Sequence, residues 1–103
     1  MADKIIWGAV NGDGTVASGT GFSVDRASRG TYRITYAVPF SARPAVVVTQ
    51  CYKLWDDFGY GGGDTRAGCS LVASDEAQCK LVTGDERGVH TNRNFTFLAI
   101  GPD

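Results

Sequence analysis

This sequence has no long apolar run, no excess of charge and almost no histidine. No apolar stretch approaches the ~18–20 residues of a membrane-spanning helix, which argues against membrane insertion. Ten basic residues face eleven acidic ones, for a net charge of −1. That balance argues against a general nucleic-acid binder, which would show a basic excess or stripe. It also argues against intrinsic disorder, which pairs high net charge with low hydrophobicity; here 43% of residues are hydrophobic. The single histidine, His90, rules out any two-histidine zinc site. No GxSxG, GxxxxGK, HExxH or strand–GxGxxG–helix signature occurs, and the chain reads as non-enzymatic. The Gly61-Gly62-Gly63 run is followed by no helical pattern that could aim a dipole at a phosphate.

Cysteine is scarce and odd in number: Cys51, Cys69 and Cys79. Neither a CxxC pair nor a disulfide framework is present. Two readings stay open. The three thiols act as small half-buried hydrophobes, or Cys69 and Cys79 form one bridge. The opening MADKIIWGAV has no apolar core or cleavage site of a secretory signal. This leaves synthesis in the cytoplasm, export by a signal-independent route, or a place in a longer chain, virion or fibre.

What is present is β-structure. At 103 residues the chain suits one domain, able to hide about two-thirds of its unfolded surface. Fourteen glycines, with abundant Val, Thr, Tyr and Phe, point to short strands and tight turns. Period-two alternation dominates and helical periodicity is nearly absent. Strands are expected over 4–10 (KIIWGAV), within a Gly-broken segment at 15–24, and over 31–38 (TYRITYAV) and 45–54 (AVVVTQCYKL). Further strands are expected over 69–74, 77–83 and 95–101 (FTFLAIG). Asn11-Gly12-Asp13-Gly14 and Asp75-Glu76 mark hairpin turns, and 25–30 reads as a polar turn. The VVV run predicts burial on both faces. The last strand is apolar on both faces too, which places it mid-sheet or against a partner chain. Six or seven strands without a crossover helix make an all-β, single-domain antiparallel sandwich of jelly-roll type.

Several segments resemble a known module. Gly21-Phe22-Ser23-Val24, the Gly30-x-Tyr32-x-Ile34 pattern, Pro39-Phe40-x-x-x-Pro44-Ala45-Val46-Val47-Val48 and the closing Ala99-Ile100-Gly101 carry the likeness. They resemble the H-type lectin domain and the related modules at phage tail-fibre tips and behind bacterial collagen-like stalks. The resemblance covers most of residues 21–101. It implies a small β-sandwich that assembles as a homotrimer and binds sugars near subunit interfaces. Phe97 and Leu98 stand where the lectin pattern has Trp. Assembly is also expected independently, because strands that are apolar on both faces carry more hydrophobic surface than one two-layer core can cover.

Two irregular segments, 56–68 and 84–94, hold the residues that could carry recognition. Trp55, Phe58 and Tyr60 offer rings for stacking on the C–H face of a sugar, or else anchor the loop on the core. Asp64, Arg66, Asp85, Arg87, His90, Asn92 and Arg93 could converge at one end of a sandwich. There they would hydrogen-bond hydroxyls, or form an ion-paired rim. Asp56, Asp57 and Asp64 in a Gly-rich loop are the side chains a Ca2+ ion would use, but no EF-hand spacing is present and turn-capping accounts for them, so no cofactor is expected. The leading expectation is a lectin-like homo-oligomer acting by multivalency. Its ligand-binding residues would be Trp55, Tyr60, Asp64, Arg66, Arg87, His90 and Arg93. The alternative is a structural trimerisation or tip module with no ligand of its own.

Overall fold

The computed structural model describes residues 2–103. Eight strands form: β1 (Asp3–Val10), β2 (Val16–Ser18), β3 (Phe22–Ser28), β4 (Thr31–Tyr36), β5 (Ala45–Cys51), β6 (Cys69–Ser74), β7 (Gln78–Thr83) and β8 (Asn94–Pro102). They make two four-stranded antiparallel sheets, ordered β2-β1-β8-β5 and β3-β4-β7-β6. The chain is thus an all-β sandwich, and β8 lies mid-sheet between β1 and β5.

Alternation builds the core. Tyr32, Ile34 and Tyr36 of β4 and Cys79 and Leu81 of β7 turn inward from the second sheet. Ile6 and Val10 of β1 with Phe95, Phe97 and Ala99 of β8 meet them from the first. Aromatic pairs lock the layers: Phe22 sits edge-on to Phe97 at 4.8 Å, and Tyr32 lies 4.8 Å from Phe95. Phe40 packs edge-on to Tyr36 at 5.1 Å. Lys4 holds the 38–40 segment down by donating from Nζ to the carbonyls of Val38 (2.8 Å) and Pro39 (2.9 Å).

Three expectations change. The 25–30 segment is not a loose turn: β3 runs through Asp25 and Arg26, paired with Arg33 and Tyr32, and the reversal narrows to Arg29-Gly30. A strand at the sheet edge whose half-buried apolar positions, Phe22 and Val24, both lie in its first three residues looks polar enough beyond them to pass for a loop. The VVV run is not buried on both faces. Its strand β5 is the edge of its sheet, with Val46 and Val48 half-buried inward and Val47 pointing out, 61% exposed. The cysteines are all free. Cys69 pairs with Thr83 and Cys79 with Ser74, at opposite ends of the β6–β7 hairpin, so no bridge is within reach.

Outside the core the two sheets differ. On the outer face of the β3-β4-β7-β6 sheet lie Asp25, Arg33, Lys80, Thr35 and Gln78, as a solvated face should have. On the outer face of β1, β8 and β5 the register stacks Ile5, Ile100 and Ala45 in one row and Trp7, Leu98 and Val47 in the next. Ala9, Thr96 and Thr49 form the third row. None of these nine side chains is charged.

Candidate functional site

The long loops meet at one end of the sandwich, tied there mainly by amides. Asn94, opening β8, accepts from the Gly12 amide through Oδ1 (2.9 Å) and donates from Nδ2 to the Lys53 carbonyl (3.1 Å). Asn11 accepts from the Trp55 indole at 2.9 Å. Gln50 donates from Nε2 to the carbonyls of Gly68 (2.6 Å) and Gly84 (3.0 Å), and the Gly84 amide donates to Gly68 at 2.9 Å. The 52–68 and 84–93 loops are therefore joined at their roots, as sandwich topology allows. Gln50 and Asn94 escaped the sequence reading, and Asn11 was visible in it only as a turn residue. Their only signal is an amide at the end of an apolar strand, which is also common on plain surfaces.

Each expected site residue has a definite place. Asp64 grips Arg66 within its own loop, accepting from Nε at 3.1 Å, Nη2 at 2.9 Å and the Arg66 amide at 2.9 Å. Asp85 holds Arg87 in the same way, accepting from Nη2 at 2.8 Å and Nε at 3.3 Å, and it also receives the amides of Arg87 and Val89. Hydrogen bonds from these arginines lower both carboxyl groups to about 2. The guanidinium groups rise in turn, chiefly through the same bonds, and Glu86 adds to both. Arg66 and Arg87 thus share the field of one acid, while most of each side chain remains in solvent.

His90 is exposed and bridges back to Gly84. Asn92 is exposed as well, but its Oδ1 is committed, accepting from the Gly30 amide at 2.8 Å. Arg93 is not on the surface. It is 7% exposed, its Nη1 donates to the Tyr52 carbonyl at 3.1 Å, and its guanidinium lies 5.0 Å from the Tyr52 ring centre. It braces the start of the long loop and presents no group to a ligand.

Trp55 is half-buried, with its N–H committed to Asn11, so the anchoring role is realised while part of the ring stays open. Leu54, Phe58 and Tyr60 project outward, Phe58 85% exposed and Tyr60 wholly so. Beside them is a hollow of about 260 Å3, lined by Tyr52, Lys53, Trp55, Asp57 and the Gly61-Gly62-Gly63 backbone. A second hollow, of about 300 Å3, lies on the other sheet between Arg33, Ser74, Gln78 and Lys80. Among the described residues no three His, Cys, Asp or Glu side chains group so as to hold a metal ion. The chain matches no family model, no curated protein and no solved structure.

Proposed function

We propose that this protein is a homo-oligomeric, lectin-like module that binds carbohydrate through the loop end of the sandwich. The observation that carries the reading is the hollow under the 52–63 segment, where Trp55 and Asp57 line a concavity and the Tyr60 ring stands free at the same loop. An aromatic floor with a few convergent polar groups is what a sugar ring requires. The volume, about 260 Å3, falls just below the ~300–1,000 Å3 range of drug-sized ligand pockets and suits one ring. Lys53, Asp57 and the glycine backbone offer donors and acceptors. Arg66, Arg87 and His90 supply an outer polar rim, and Asp64 acts by orienting Arg66. Single sites of this kind bind weakly, and several copies linked in one particle gain orders of magnitude in avidity.

Glycan-array binding of the wild type and of Tyr60→Ala tests the reading. Tyr60 makes no packing contact that its removal could disturb, so loss of binding in that variant reports on the ligand. Absence of binding to every glycan by the assembled wild type refutes it. One observation favours the alternative of a ligand-free trimerisation or tip module. Arg66 and Arg87 already have acid partners within their own loops. On that alternative no loop variant changes anything but assembly.

A further inference from the structure

The outer face of β1, β8 and β5 is uncharged over three strands and three rows. Ile5, Trp7, Val47, Leu98 and Ile100 remain 40–61% exposed there. With large side chains offering ~150–250 Å2 each, these five leave on the order of 500 Å2 of contiguous apolar surface, and the alanines and threonines around them extend it. That lies in the upper part of the ~300–600 Å2 of the largest, often functional, patch on a monomer and is more than half of the ~800 Å2 that each partner contributes to a stable interface. The opposite sheet, carrying Asp25, Arg33 and Lys80, shows what a solvated face of this fold looks like.

We infer that this face is covered by the same face of other copies of the chain, brought together at a symmetry axis. Strand hydrogen bonds satisfy the backbone of the central strand β8 on both sides, and no outward side chain in the three rows carries charge, so the patch is self-complementary. Copies can meet across an axis without the large cost of burying an unpaired ion. A lipid surface fits less well, because the rows hold no lysine or arginine to meet anionic headgroups. The inference rests on the homo-oligomer half of the reading above and not on sugar binding.

Light scattering after size exclusion tests it with the wild type, Val47→Asp, Trp7→Lys and, on the opposite sheet, Thr35→Asp. The wild type and Thr35→Asp should elute at a multiple of 10.9 kDa. Val47→Asp and Trp7→Lys should fall to the monomer mass with unchanged far-ultraviolet circular dichroism, since both side chains face outward and leave the core intact. If all four proteins assemble alike, the face is wrongly assigned while the homo-oligomer reading survives. If the wild type is a monomer, with or without binding to anionic phosphatidylserine vesicles, both are overturned. Glycan binding is scored separately on the same samples, so its failure is distinguishable from either result.

Discussion

At Gly30 a side chain would strike backbone on two sides, and Gly30→Ala tests how the loop end is held. Its φ is +69°, and a Cβ there would lie 2.7 Å from the Thr83 carbonyl oxygen and 2.7 Å from the Thr91 amide nitrogen. Both neighbours are backbone, so neither can swing aside. They also belong to a knot: the Thr83 amide donates to Gly30 at 2.8 Å, the Thr91 amide donates to Thr83 at 3.1 Å, and Gly30 donates to Asn92. The left-handed conformation alone costs an alanine roughly 1–2 kcal/mol. Separating the strands enough to admit the methyl breaks two or three hydrogen bonds worth about 1 kcal/mol each. A loss of roughly 3–5 kcal/mol follows, a large part of the ~5–15 kcal/mol typical of a domain. Gly21→Ala is the control. Its φ is +89°, but nothing lies within 4 Å of the added carbon, so only the conformational cost of roughly 1–2 kcal/mol applies. Urea denaturation followed by Trp fluorescence measures both. Equal losses in the two variants, or a harmless Gly30→Ala, would refute the knot.

Other expectations follow from particular contacts. Phe97→Ala removes an inward ring that packs on Phe22 and should cost about 3–5 kcal/mol in denaturant titration, whereas outward Thr96→Ala should cost under about 1 kcal/mol. Asp85, held near 2 by Arg87, stabilises the 84–90 loop above the ordinary carboxylate range near pH 4, and that contribution is lost as pH falls toward 2. The protection of the Val89 amide, measured by NMR as its exchange rate relative to an unstructured chain at the same pH, should fall across that window in the wild type, and Asp85→Asn should show the lower protection already at pH 6. An Ellman titration should count three thiols in denaturant without reductant, and Cys79, buried with its thiol pKa raised by that burial, should react far more slowly than Cys51 in the native protein. A count of one would mean that a bridge exists.

The fold was legible where one strand face is strongly apolar and the other is not. Tyr32, Ile34 and Tyr36 alternate cleanly and became the buried face of β4. The Phe95-x-Phe97-x-Ala99 series marked the central strand, and Asp75-Glu76 the β6–β7 turn. Legibility failed at edges. An edge strand is wetted along its length, so β3 resembled a turn, and Val47 was read as buried though it faces outward. At the loop end, residue types foretold which side chains could bind but not which would be consumed. Asp64 and Asp85 each stand two residues before an arginine, close enough for a local ion pair to form first. Arg93 carried the charge of a surface residue, yet the aromatic ring and carbonyl of Tyr52, 41 positions away, draw it inside. Nothing local in the sequence announces such a partner.

One chain leaves an apolar sheet face open. Sedimentation equilibrium of the wild type at micromolar concentration weighs that claim directly. The predicted result is a single species at an integral multiple of 10.9 kDa that persists on dilution. A mass of 10.9 kDa, unchanged as concentration rises, would contradict it.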